Sequence, residues 1–348
     1  MLRTALLAAT VTLAACSTGT APRPGLSERA AVSARPAASE RAVPAARTTA
    51  SAPDSVRTGR RVATRVLAPE LYRIRVADLP APYASESARK GPRVVPPPAD
   101  YDALAPVYHL IHGDWEAGVL RQGEALDALI RAPGPAGAAD VLDAACGIGT
   151  QSLGLAGRGY RVTGSDLSPA AIARAGAEAR QRGLDAAFSV ADMRAAFEHH
   201  GRAFDVVLAC DNSVPHLLTD AEIARAFGQF WRCTRPGGLC LVSVRDYDVM
   251  PREGVETQHH GVREEGGVRH VVFQVRDFRR GGGRTYEVAL YVVADDGRAC
   301  RTSVVRTTYY AIGTDRLLEL MREAGFERVR RVDGAYVQPI LIGHRGTA

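Results

Sequence analysis

From Asp140 onward the chain alternates short apolar segments with amphipathic ones, and few folds accept that alternation. Segments 139–145, 160–166, 186–190, 203–210, 238–246, 326–333 and 336–343 read as strands, and 150–158, 168–182, 219–234 and 314–324 as helices. Repeated strand-then-helix units bury both faces of a sheet when the strands run parallel and helices cover each side. The pattern predicts an α/β fold with a doubly wound, seven-stranded sheet. At 348 residues and 46% hydrophobic content, the chain has enough apolar side chains to fill such a core. Between Pro251 and Ala311 the rhythm changes. Two Gly-containing turns, RRGGGR at 279–284 and ADDGR at 294–298, lie between β-branched runs and predict an antiparallel β insertion at 251–311 that roofs a substrate pocket.

The first strand runs into VLDAACGIGTQ at 141–151. A strand, a Gly turn and a helix start let main-chain amides face a ligand closely, because residues without Cβ leave room. A nicotinamide-binding G-x-G-x-x-G would need Gly147, Gly149 and a glycine at 152, where the chain has Ser152. Instead Asp143 precedes Gly147 by four residues, giving D-x-x-x-G-x-G. This segment resembles motif I of class I S-adenosylmethionine-dependent methyltransferases. The resemblance continues in order through VTGSDLSPAAIARA (162–175), ADMR (191–194), FDVVLACDNSVPHL (204–217) and RPGGLCLVSVRDYD (235–248). It implies a Rossmann-like methyltransferase sheet with S-adenosyl-L-methionine as cofactor. The cofactor contacts it implies are Tyr108, Asp143, Ala145, Gly147, Gly149, Asp166, Leu167, Asp192, Met193 and Asp211. Asp166 would accept both ribose hydroxyls in a charge-assisted clamp. Asp192 would accept from the adenine amino group, with Met193 packed on the ring. Taken singly, Asp143, Asp166 and Asp192 also suit caps or surface acids; the five ordered segments are what joins them.

Methyl transfer from a sulfonium requires a positioned nucleophile and exclusion of water, so no Ser-His-Asp arrangement is expected. DNSVPHLL at 211–218 and VRDYD at 244–248 are similar to segments of the glycine and sarcosine N-methyltransferases. That likeness implies catalytic-site roles for Asn212, Ser213, His216, Arg245 and Tyr247, with Arg245 meeting a substrate carboxylate and Tyr247 closing the pocket. The chain departs from that family at Asp246, where the relatives have Asn; a carboxylate there is expected to compete for Arg245, which weakens the case for glycine itself. The expected acceptor is a small molecule, with N-methylation ahead of O-methylation.

YDALAPVYHLIHGDW at 101–115 resembles the helical N-terminal cap of small-molecule methyltransferases, with Tyr101, Tyr108 and Trp115 over the cofactor or in ordinary helix packing. His109 and His112 lie three apart on that expected helix without a third ligand by spacing, so no metal is expected.

Residues 1–95 hold 15 Lys+Arg against 6 Asp+Glu, and the remainder 29 against 32, so the basic balance belongs to the tail. The globular part carries no basic stripe, and no nucleic-acid partner is expected. Met1 to Ala15 reads as a signal-like segment and Leu13-Ala14-Ala15-Cys16 as a lipobox, followed by an Ala/Pro/Arg-rich linker; residues 96–348 form the expected catalytic domain. An exported enzyme would lack an intracellular cofactor, so a cytoplasmic protein with translation starting downstream at a non-Met codon is the preferred expectation. A lipoprotein lipidated at Cys16, bearing an inactive binding module, is the alternative. Cys146, Cys210 and Cys240 are expected as buried thiols rather than disulfides.

Overall fold

The structure, a computed structural model, describes residues 99–135, 137–279 and 283–347. The signal-like segment with its lipobox, the basic linker and the expected domain boundary at 95–96 lie outside these residues, as do positions 280–282 of the first insertion turn. In chain order the elements are α1 (Ala99–Leu104), α2 (Trp115–Arg131), β1 (Asp140–Asp143), α3 (Thr150–Ala156), β2 (Arg161–Asp166), α4 (Pro169–Arg182), β3 (Ala186–Val190), α5 (Ala196–His200), β4 (Phe204–Ala209), α6 (Asp220–Cys233) and β5 (Thr234–Ser243). They continue with β6 (Val255–Glu265), β7 (Val268–Asp277), β8 (Thr285–Asp295), β9 (Cys300–Tyr310), α7 (Thr314–Glu323), β10 (Glu327–Val332) and β11 (Ile340–His344).

Seven strands make one sheet in the order β10-β11-β5-β4-β1-β2-β3, and β11 runs antiparallel to both its neighbours. β1 pairs in parallel with both β2 and β4, so the order of connection reverses there and opens a crevice at the strands' carboxyl ends. Helices cover both faces. Val207 and Ala209 of β4 pack with Phe227 and Phe230 of α6 and Met321 of α7, whereas Val206 and Leu208 pack with Leu126 and Ile130 of α2 and Leu155 of α3. Burial on both sides is why β4 reads as a continuous apolar run rather than an alternating one. α6 begins where Thr219 accepts from the Glu222 amide, and its buried Ile223, Ala226, Phe227 and Phe230 recur at helical spacing.

The segment expected as one cap helix is broken. α1 stops at Leu104, a 3-10 turn spans Tyr108–Ile111, and a new 17-residue helix, α2, starts at Trp115 with Asp114 capping the Ala117 amide. Pro106 has no N–H and disfavours helical backbone at Ala105, which explains the break. α2 packs closely on α3 through two glycines: a Cβ at Gly123 would stand 2.6 Å from the Gly154 carbonyl carbon, and one at Gly154 would stand 2.5 Å from the Val119 oxygen.

The insertion forms a four-stranded antiparallel sheet, β6-β7-β8-β9. A turn not anticipated from sequence joins β6 to β7 at Gly266-Gly267, both at positive φ (58° and 79°), as a two-residue hairpin of primed type requires. One end of the sheet's inner face packs Val272, Leu290, Val292 and Val305 on Leu104 and Leu110; the other packs Tyr286 and Val288 against Tyr247. Among the described residues no helix is long and apolar enough to cross a membrane. Cys146, Cys210, Cys233 and Cys240 are buried free thiols and Cys300 is an exposed one.

Candidate active site

The carboxyl ends of β1, β2 and β4 bring three acids to one crevice. Asp143, fully buried, accepts from Ser152 Oγ at 2.7 Å, while its Oδ1 makes no hydrogen bond of good geometry. Ser152 is the residue that breaks the nicotinamide fingerprint, and here it ties the two ends of the glycine loop together. Burial, reinforced by the charges of Asp166 and Asp211 and opposed by Ser152 and the Ala145 amide, pushes the Asp143 carboxyl up to about 7. Asp166 accepts from the Gly147 and Ser168 amides at 2.9 Å each, and burial raises it despite those bonds. Asp211 accepts from Gln151 Nε2 at 2.8 Å and is also raised by burial, against the pull of Gln151 and Arg245. One buried and two half-buried carboxylates in one crevice favour a cationic ligand.

The loop between β1 and α3 leaves space for it. A Cβ on Gly147 (φ 53°) would touch nothing within 4 Å, so this glycine borders open space beside half-buried Ala145. Gly149 (φ 94°) serves packing, since its Cβ would lie 3.2 Å from Ala175 Cβ of α4. Leu167, 48% exposed, flanks Asp166. Asp192 accepts from the Arg194 amide at 2.8 Å and from its guanidinium at 2.5–3.0 Å, so its lone pairs are taken. Met193 packs against the core cluster that holds Leu217 and Ala144.

Beyond β4 the chain turns sharply. Asp211 and Asn212 both have positive φ (55° and 65°), a rare pair of non-glycine residues in left-handed backbone. Asn212, fully buried, exchanges hydrogen bonds with the Tyr247 hydroxyl (2.9 and 3.0 Å) and accepts from the Arg245 amide at 3.0 Å. It therefore builds the wall rather than lining the space. Ser213 Oγ bonds back to the Cys210 carbonyl. Arg245 Nη1 donates to Tyr286 OH at 3.1 Å, its guanidinium carbon lies 5.0 Å from the Tyr309 ring centroid, and among the described residues it makes no ion pair. Asp246, expected to compete for it, pairs with Arg331 at 2.5 Å instead. His216 Nε2 lies 2.8 Å from Tyr101 OH, and its ring lies 4.2 Å from that of Tyr309.

Tyr101 and Tyr108 thus reach the site, and Tyr108 lies within electrostatic reach of Asp211, Arg245 and Asp166. Trp115 does not: its Nε1 donates to Thr150 at 2.9 Å and Arg174 and Arg182 stack on its ring, so it is helix packing. His109 pairs with Glu265, and His112 is half-buried with its Nε2 enclosed. Among the described residues no cluster of metal-ligating side chains occurs. Sequence reasoning missed Tyr286 and Tyr309, which pair across β8 and β9, and Gln122, which accepts from both Gln151 and Tyr336. For the two tyrosines the only signal was the alternation of residues along the insertion strands; Gln122 lies on α2.

A family model described as a methyltransferase domain matches residues 141–238. The chain is 28% identical over 222 residues to a glycine/sarcosine N-methyltransferase of Parasynechococcus marenigrum, covering 62% of this chain and 72% of that protein. It spans 53% and 46% of two further proteins of the same name. An ubiquinone biosynthesis O-methyltransferase of Sodalis glossinidius is 29% identical over 42% of this chain and 57% of its own. The solved structure of an S-adenosylmethionine-dependent methyltransferase from Clostridium acetobutylicum shares the fold, with TM-score 0.58 and 15% identity over 71% of this chain and 99% of that one. The chain carries a methyltransferase domain within the fold of the class I S-adenosylmethionine-dependent methyltransferases.

The crevice of this methyltransferase fits that cofactor, which carries an ammonium and a sulfonium: the orphaned Asp143 oxygen and the open space at Gly147 lie where a cationic ligand would be held. At the acceptor end, burial and then Arg245 push His216 down to about 3 from the usual 6.5. A neutral imidazole is required there, so its stabilising contribution is complete above pH 6.5 and is lost as pH falls from 6.5 towards 3. His112 and His200, each lowered to about 4, act in the same direction, whereas Asp143 acts oppositely over the whole fall from about 7 to 3.8, as do Asp166 and Asp211, which are also raised. In thermal unfolding measured between pH 7 and 4 the two sets oppose, the histidines lowering Tm as they are forced to charge. His216→Gln should remove its share of that lowering, with about 2–4 °C recovered per kcal/mol in a domain of this size; an unaltered slope would remove His216 from the account.

Proposed function

We propose that this methyltransferase transfers the cofactor's methyl group to the nitrogen of a small molecule that carries a carboxylate. The observation that carries the reading is Arg245, a guanidinium under the insertion sheet that donates to one hydroxyl and makes no ion pair among the described residues. A guanidinium has five donors, and its planar fork matches a carboxylate.

S-adenosylmethionine supplies a methyl group on a sulfonium, which departs as a neutral thioether when a nitrogen lone pair takes the methyl in line. The chain's part is to bind, orient and exclude water. Asp166 keeps lone pairs beyond the two amides it already accepts from, enough for two ribose hydroxyls. Asp143 takes the ammonium, Ala145 and Gly147 border the methionine portion, and Gly149 keeps the loop against α4. Leu167 and Met193 flank the adenine; Asp192 joins them only if Arg194 releases it. Asp211 sets the polarity between the two ligands. Arg245 orients the acceptor, Asn212 holds Arg245 and Tyr247 in place, and Tyr108 and His216 close the space against water.

O-methylation is the rival reading, since two relatives bear that name, but a phenol without a carboxylate would leave the half-buried Arg245 without a task. Catalysis by residues 96–348, independent of the basic tail, is part of the proposal. The test is an acceptor screen with labelled cofactor, pairing glycine, sarcosine and larger amino acids with their amides, and adding phenols. Methylation of the acids and not of the amides is expected; phenols accepted in preference to every carboxylate-bearing amine would defeat the reading.

A further inference from the structure

The inner face of the insertion sheet is more basic than one carboxylate requires. Arg276 of β7 lies opposite Glu256 of β6 and Val288 of β8. Side chains two apart on a strand share a face, and opposed partners do too, so Arg276 shares its face with buried Gln274 and Val288. Val288 packs against Tyr247 and Tyr286, which places this face over Arg245. Burial, with Arg245 adding repulsion, holds Arg276 below its ordinary range. The same two effects depress His260, whose buried Nε2 has no hydrogen-bond partner.

Neither Arg245 nor Arg276 makes an ion pair among the described residues. Glu256, directly across the ladder, is not within ion-pair distance of Arg276, which instead donates to Gln258 Oε1 and meets Met250 Sδ at 3.6 Å. By contrast Arg194, Arg235, Arg316 and Arg331 all pair with acids. Two guanidiniums that repel each other, partly withdrawn from water and each answered only by an acid beyond ion-pair distance, Asp211 for Arg245 and Glu256 for Arg276, leave room for an anionic ligand to answer both. A monocarboxylate at Arg245 answers one.

We infer that the acceptor carries a second anionic group, bound at Arg276 beside His260 while the first lies on Arg245. The acceptor class is then an amine with two anionic groups, such as an amino acid whose side chain ends in a carboxylate or a phosphate. This rests on the reading of Arg245 as a carboxylate site.

The test uses the full chain saturated with S-adenosylhomocysteine, titrated with acetate or succinate at fixed ionic strength near neutral pH. Succinate is expected to bind roughly tenfold or more tightly than acetate, the lower end of what one charge-assisted contact gives. Arg276→Gln should bring succinate down to the acetate level without weakening acetate, and Arg276→Lys should restore part of the difference. Arg245→Gln should weaken both anions. S-adenosylhomocysteine affinity of each variant reports that it is folded. Succinate no tighter than acetate, or an Arg276→Gln effect equal for both, overturns the second subsite while leaving the first. No Arg245-dependent binding of either anion defeats the parent reading as well.

Discussion

Replacing Arg245 with glutamine is expected to lower kcat/KM for a carboxylate-bearing amine by about 100-fold to 1,000-fold, the range for leaving a buried charge without its partner. The substitution keeps a hydrogen-bond donor for Tyr286 and removes the charge, so the aromatic surround of Tyr247, Tyr286 and Tyr309 has the least reason to collapse. The loss should fall mainly on KM, because the carboxylate is held equally in the ground and transition states. Arg245→Lys keeps the charge without the planar fork and should recover only part of it. Steady-state kinetics on the acceptor that emerges from the screen decides the matter. Unchanged KM in Arg245→Gln would detach Arg245 from the acceptor and with it the carboxylate.

The same residue shows where sequence reading reached and where it stopped. The parallel strands were legible because burial on both faces leaves runs such as Val206–Ala209 uniformly apolar, and β3 matches its expected range at both ends. The glycine loop was legible because two chemical demands, open space at Gly147 and close packing at Gly149, select the same residue type. The cap was misread because periodicity ran on through Pro106, whereas backbone sterics end α1 before it. α2 was overlooked although it is the longest of the described helices: small residues such as Gly118 and Gly123 blunt its apolar stripe, and the second of these is what its packing on α3 requires. The candidate acceptor site was legible at Asn212, His216, Arg245 and Tyr247, all on or beside the main sheet. Partner choice was not. Adjacency suggested that Asp246 would quench Arg245, yet the chain turns just beyond β5, where the Tyr247 amide donates to the Arg245 carbonyl, and Asp246 finds Arg331. Tyr286 and Tyr309 were hidden for another reason, since their role depends on the register between β8 and β9 and on how that sheet lies over β5. Local sequence specifies neither.

At the cofactor end, Asp166→Ala is expected to weaken S-adenosylhomocysteine binding about 100-fold or more, two lost charge-assisted bonds at roughly 1.5 kcal/mol each. A bare loss of affinity has two explanations, because Asp166 also holds the Gly147 and Ser168 amides and its removal loosens the glycine loop. The ribose separates them. Wild-type protein should bind the 2′-deoxy analogue of S-adenosylhomocysteine more weakly than the parent compound, whereas Asp166→Ala should bind the two alike, since the group that distinguishes them is gone. This is a double-mutant cycle in which one mutation is made on the ligand, and its coupling term isolates the carboxylate–hydroxyl contact from loop disorder common to both ligands. Calorimetry on the four combinations gives that term directly. If Asp166→Ala loses affinity yet still discriminates the deoxy analogue as the wild type does, then Asp166 serves only the loop, as an acceptor for Gly147 and Ser168, and the ribose is gripped elsewhere.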